Sequence, residues 1–236
     1  MSTIIVSGAS SNHFKSLGQL VRSIRAVYPT GGPTLKLWDL GLKPEEVAQF
    51  QTEFGISLET FNYKDYPAFY DITVNAGQYA WKSAAIEKSI EGAVSPVTVL
   101  WLDAGNMLTA PIGDVFSFIR KQGLFTPMSG GRISELIHPL TLEATGKTLA
   151  DFRGKTLRTG GIIGFYTGLP WVKEWFKRWR TWCDTESIIA PPGSDRTNHR
   201  QDQALLTITY WAVARQRGLN YMRDFSTTIK IHCDID

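Results

Sequence analysis

The sequence predicts an α/β protein with a mainly parallel central sheet flanked by helices. Short β-branched runs alternate with segments of helical period through the first half of the chain. Glycine or proline marks many of the joins. The run "VTVLWL" at 97–102 is fit for the centre of a sheet and ends on one acid, Asp103, followed by Ala104, Gly105 and Asn106.

Each element follows from local pattern. "TIIVSG" at 3–8 is a β-branched run closed by glycine and reads as a buried strand. Phe14, Leu17, Val21, Ile24 and Tyr28 keep helical spacing up to Pro29. "LKLWDL" alternates as a strand, and "KPEEVAQFQTEFG" reads as a helix with acids in its first turn and Gly55 past its end. "ISLETFNY" is a third strand. "QYAWKSAAIEKSI" at 78–90 is helical and precedes the strand that ends at Asp103. A short helix at "DVFSFIRKQG" and a strand at "LFTPM" follow. "SGGRISELIHPLTLEATGKTLADFRGK" is irregular and long enough to hold an active-site cover. "LRTGGIIGFYT" reads as a short buried strand entered through two glycines. In the segment 171–183, Val172, Trp175, Phe176, Trp179, Trp182 and Cys183 form a stripe, with Lys173, Lys177, Arg178 and Arg180 off it. That stripe suits either core packing or a membrane surface. "HRQDQALLTITYWAVARQRG" is a nearly all-apolar helix ending at Gly218, with Asn198 and Gln201 spaced as a capping box.

Composition narrows the function. The chain has 236 residues, 43% of them apolar and 12% aromatic, enough for a substantial core. A formal net charge of +3 is too mild to call for a nucleic-acid partner. Two cysteines, Cys183 and Cys233, make neither a disulfide framework nor a metal cluster, which fits a reducing compartment. The start "MSTIIVSGAS" lacks a basic region and a long apolar run, and no window approaches a membrane span. The expectation is a soluble cytoplasmic protein.

The chemistry centres on Asp103. The carboxyl end of a strand is where open α/β sheets bind ligands. A carboxylate there can hold a divalent cation or a ribose hydroxyl, or it can simply cap the next turn. Gly105 allows close backbone approach, as do Gly160 and Gly161, unless those two only form a tight turn. Ser7 and Gly8 end the first strand, where a nucleotide would bind or where a plain turn would suffice. Asp202 lies where an acid favours a helix dipole. That does not explain the polar crowd His199, Arg200, Gln201, Asp202, Gln203 ahead of so apolar a helix.

"VLWLDAGNML" resembles the strand and acidic motif of GT-A-type nucleotide-sugar glycosyltransferases. "GQYAWKSAAIEKSI", with Lys82, is similar to the helix those enzymes place before that strand. "TGGIIGF" looks like their acceptor-facing strand, "HRQDQALLT" like their Asp-Gln helix start, and "IKIHCDID" like a terminal strand bearing a metal-binding histidine. The order of all five fits the glycogenin-like and lipopolysaccharide galactosyltransferase-like branch. The "WLDAG" and "HRQDQ" motifs also resemble those of a eukaryotic glycosyltransferase-like family.

The resemblance implies one GT-A-like domain over 1–236, with a nucleotide-binding half to about residue 125 and an acceptor half beyond. It implies a retaining transferase using a UDP-linked donor and a carbohydrate, lipid or protein acceptor. Asp202 would bind the donor sugar and Gln203 would face the anomeric carbon; in an inverting enzyme Asp202 would be the general base. His199 and Arg200 would orient the loop or face phosphate. The family motif is Asp-x-Asp, and Gly105 stands where its second Asp belongs. Asp103, Asn106 and His232 would then hold Mn²⁺, the imidazole favouring it over Ca²⁺. Without metal, Lys82 and Arg158 would neutralise the diphosphate. A membrane-bound acceptor would make the Trp-rich stripe a peripheral contact. Two rivals stand beside this reading: a non-catalytic nucleotide- or carbohydrate-binding protein, given the lost Asp, and a nucleotidyltransferase, which would want a richer phosphate loop than "SGASSNHFK".

Overall fold

A computed structural model describes residues 2–236. In chain order the elements are β1 (Ser2–Ala9), α1 (Phe14–Val27), β2 (Thr34–Asp39), α2 (Pro44–Phe54), β3 (Glu59–Thr60), α3 (Ala80–Ile90), β4 (Val97–Leu102), β5 (Met107–Leu108), α4 (Gly113–Gln122), β6 (Leu124–Phe125) and β7 (Met128–Ser129). There follow α5 (Ile133–Leu136), α6 (Pro139–Ala144), β8 (Leu157–Arg158), β9 (Ile162–Tyr166), α7 (Pro170–Cys183), α8 (Glu186–Ile189), α9 (Gln201–Ala214) and β10 (Ile229–Lys230).

Six strands form the central sheet in the order β3-β2-β1-β4-β9-β6. The first four are mutually parallel, and β9 runs antiparallel to both its neighbours. The expected mainly parallel sheet is present. From β1 the chain moves to β2 on one side, and later returns to β4 on the other. That reversal opens a crevice past the carboxyl ends of β1 and β4. Val6 pairs with Trp101, which brings Gly8 and Asp103, each two residues further on, to this crevice. Every residue of β4 is buried, because the sheet is covered on both faces.

Several elements differ from the sequence reading. "LFTPM" is two strands, because Pro127 has no N–H to donate and breaks the ladder. Its carbonyl accepts from Thr159 N–H at 3.0 Å, while Met128 and Ser129 pair with β8. "ISLETFNY" keeps only two residues as strand, paired with Trp38 and Asp39. The segment 129–155 is a set of short helical turns whose Ile133, Ile137, Leu142 and Phe152 enter the core. It is a packed shoulder of the core and not a cover.

The Trp-rich helix α7 spends its apolar stripe on the core as well. Val172, Trp175, Phe176, Trp179 and Cys183 are buried, with Trp175 and Trp179 stacked at 6.1 Å. This overturns the membrane-surface reading of that stripe. Arg180, expected on the charged face, is instead buried against Tyr70, Glu87 and Asp184. The capping box at Asn198 and Gln201 does not form: Asn198 accepts from Asp195 N–H at 2.9 Å and donates to Gly193 O at 3.0 Å, within its own loop. Among the described residues no helix is long and apolar enough to cross a membrane.

Candidate active site

The crevice is a cleft of about 430 Å³. Its walls come from the end of β1, the start of α3, the turn after β4, the link between β8 and β9, the entry to α9 and the segment after β10. Both halves of the chain contribute.

Lys82 is the hub. The first turn of α3 points its ammonium into the cleft floor, where the residue is 3% exposed. It lies 3.1 Å from Asp103 Oδ1 and 3.3 Å from Asp202 Oδ2, and donates to Gly160 O at 3.0 Å. Burial alone would lower its pKa; Asp103 and then Asp202 outweigh that and hold it above the usual lysine value. The ammonium is thus ion-paired with two carboxylates and hydrogen-bonded to one carbonyl. The expected role of Lys82 as a free neutraliser of diphosphate does not match this arrangement.

Asp103 is held from several sides. Trp101 Nε1 donates to its Oδ1 at 2.6 Å, its backbone N–H donates to Gly161 O at 3.0 Å, and its own carbonyl accepts from Asn106 N–H at 3.0 Å. Its side chain stays 47% exposed, so it can reach a ligand. Asn106 is buried and donates from Nδ2 to Gly161 O at 2.8 Å. Gly160 and Gly161 let the backbone pass close to both carboxylates. A Cβ on Gly160 would lie 3.1 Å from Asp202 Oδ2, and one on Gly161 would lie 3.1 Å from Asp103 Oδ2.

Asp202 sits in the first turn of α9 and is 4% exposed. Burial pushes its carboxyl up to about 6, against the pull of Lys82. Its Oδ2 accepts no hydrogen bond and meets only the Lys82 ammonium as an ion pair. Gln203 is half-buried in the cleft wall and donates from Nε2 to Ser129 Oγ at 3.1 Å. Arg200 and His232 also line the cleft, as do Gly8 and Gly105. A Cβ on Gly8 would come within 2.9 Å of Trp38 Cβ, so that glycine serves the β1–β2 packing first.

Three expected site residues lie outside the cleft lining. Ser7 is buried within β1. His199 is buried behind the wall; its Nδ1 accepts from His138 N–H at 3.2 Å and its Nε2 faces Ile189 O at 3.0 Å. It therefore positions the Arg200–Gln203 segment. Arg158 is 1% exposed, stacked 4.4 Å over Tyr210, with its guanidinium bonded to the carbonyls of Thr126 and Tyr221. A guanidinium committed to two carbonyls and an aromatic face is not available to phosphate.

Other lining residues were missed in the sequence. Arg196 comes from the loop before α9 and lies 5.6 Å over Tyr79, which is itself 5.6 Å from the Lys82 ammonium. Asp234 and His13 also line the cleft. Nothing in "APPGSDRTN" marks Arg196 and nothing in "SSNHFK" marks His13, because their placement is tertiary; Asp234 lies in "IKIHCDID", where only His232 stood out. Among the described residues His13, Asp234 and Asp236 offer ligand atoms all within 4.8 Å of one another, a spacing that could hold a metal ion, and Asp103, Asn106 and His232 line the same cleft.

Comparison with known proteins gives the fold. A galactosyltransferase, LgtC, in complex with donor and acceptor sugar analogs has TM-score 0.57 and 15% identity, covering 98% of this chain and 87% of that one. An active-site mutant of LgtC gives TM-score 0.57 and 13% identity, covering 98% of this chain and 88% of that one. The WbbM bifunctional glycosyltransferase gives TM-score 0.55 and 13% identity, covering 89% of this chain and 38% of that one. The fold is GT-A-like. A family model described as a protein of unknown function (DUF1647) matches residues 1–86, from β1 into α3. No curated protein matches.

Proposed function

We propose that this chain is a single GT-A-like domain that transfers a sugar from a nucleotide diphosphate donor, UDP-linked, to an acceptor hydroxyl with retention. The observation that supports it best is the Lys82 ammonium joining the strand-end Asp103 to the helix-entry Asp202 inside the switch-point cleft. The anomeric C–O bond to diphosphate breaks as the acceptor oxygen bonds the same carbon, and the acceptor's proton is released. Charge develops with opposite signs at the two ends of the breaking bond.

The residues divide that work. Asp202, fixed by Lys82, hydrogen-bonds the donor sugar's hydroxyls. Gln203 presents its amide oxygen to the anomeric carbon as positive charge grows, while Ser129 holds its Nε2. Lys82 is fully engaged and Arg158 is elsewhere, so the metal-free reading loses both of its cations. That favours a divalent cation, Mn²⁺, with Asp103, Asn106 and His232 as holders. When bound, the cation offsets the diphosphate's negative charge. Arg200 and Arg196 face the same space and contribute positive charge from the rim.

Release of UDP from a panel of UDP-sugars tests the reading. Wild type should release UDP from at least one donor, and Asp103→Ala and Gln203→Ala should lower the rate by about 10²-fold or more with unchanged circular dichroism. Wild-type turnover in either variant contradicts the assignment.

A further inference from the structure

Position 105 lacks a side chain, yet the space its Cβ would occupy is filled. An ideal Cβ there would meet the Asp234 carboxylate with Oδ1 at 2.4 Å and Oδ2 at 2.5 Å. A carboxylate from the far end of the chain thus sits where residue 105 would begin to extend one. We propose that Asp234 supplies the second cation-binding carboxylate of the cleft, in place of a side chain at position 105. This rests on the sugar-transfer reading above and deepens it.

The segment after β10 is built to hold Asp234 there. Cys233 N–H donates to Gly105 O at 2.8 Å, and Gln19 Nε2 donates to Cys233 O at 2.6 Å. Ile235 N–H donates to Ser16 Oγ at 3.1 Å. Asp236 caps the start of α1, accepting from Lys15 N–H at 2.8 Å and Ser16 N–H at 3.2 Å. These anchors flank Asp234 on both sides. Asp236 is consumed by that capping, whereas among the described residues the Asp234 carboxylate accepts no hydrogen bond. His13 Nδ1 lies 3.5 Å from its Oδ1, and the ligand atoms of His13, Asp234 and Asp236 all lie within 4.8 Å of one another. Asp234 and Asp103 line the same cleft. A glycine at 105 is thereby explained twice: it removes one carboxylate and makes room for another.

Free Mn²⁺ measured by electron paramagnetic resonance during titration, with UDP present, tests the proposal without relying on turnover. Asp234→Ala and the isosteric Asp234→Asn should each weaken Mn²⁺ binding at least about tenfold, the loss that even outer partners of metal sites cause. The double variant Gly105→Asp with Asp234→Ala frees the space and restores a carboxylate from the β4 side, so it should recover most of the lost affinity. Thermal melts confirm that each variant is folded, and Asp234→Asn guards against a collapsed Asp234→Ala. Wild-type affinity in Asp234→Asn overturns the proposal while leaving sugar transfer standing. A double variant no tighter than Asp234→Ala overturns the positional equivalence. No Mn²⁺ uptake by wild type overturns this proposal and the cation reading together.

Discussion

A buried lysine between two aspartates is costly to desolvate, and removing one partner leaves an uncompensated buried charge. Lys82 sets the separation of Asp103 and Asp202, and Trp101 and Gly160 set the orientation of the group. His199 does similar work from behind. It is fully buried with its pKa lowered to about 4, chiefly by burial. Its Nδ1 accepts from the His138 backbone, so the neutral ring with hydrogen on Nε2 is the folded form. As pH falls from the unfolded value near 6.5 towards 4, the unfolded chain takes up this proton first and stability is lost. The shift corresponds to roughly 3 kcal/mol. Asp202 acts in the opposite sense, since its raised carboxyl protonates in the folded state first as pH drops below about 6. The test is therefore a difference: urea midpoints of wild type and His199→Gln should converge as pH is lowered from 7 to 4.5. Parallel pH profiles would contradict this role for His199.

Elements carry the strain that the site needs. Asn75, Ala76, Gly77, Gln78 and Tyr79 all have positive φ, between 48° and 59°, a left-handed turn leading directly into α3. Each non-glycine residue there costs about 1–2 kcal/mol. The turn places Ala76 and Tyr79 on the cleft and starts α3 so that Lys82 points inward. Gly77 is compelled, because a Cβ would lie 2.1 Å from Tyr70 O. Gly77→Ala should lower the unfolding free energy from urea titration by more than αL strain alone explains, that is, by more than about 2 kcal/mol. A wild-type melt would show that the turn relaxes freely. None of this strain was legible in "NAGQY", since only one of the five residues is a glycine. Strands and long helices were legible because burial imposes their periods. Asp103 was legible because it ends an apolar run, and Asp202 and Gln203 because a polar cluster stands ahead of one. Arg158 was misread because a cation beside a glycine pair signals phosphate equally well when its true partners, Tyr210 and Tyr221, are more than 50 residues away.

At the scale of the whole molecule, the site exists because the sheet reverses its winding between β1 and β4. The first half supplies the parallel strands and Lys82 with Asp103; the second inserts β9 and brings Asp202, Gln203 and the segment after β10 to the same crevice. Neither half alone encloses the cleft. That division was visible in the order of motifs, whereas the closure by Asp234 and His13 depends on where the last residues fold back. Calorimetric titration with UDP tests most directly whether this crevice is a nucleotide-diphosphate site. With Mn²⁺ present, UDP should bind one to one in wild type and lose at least about tenfold in affinity in Asp103→Ala. No heat of binding to wild type, with or without Mn²⁺, would contradict it.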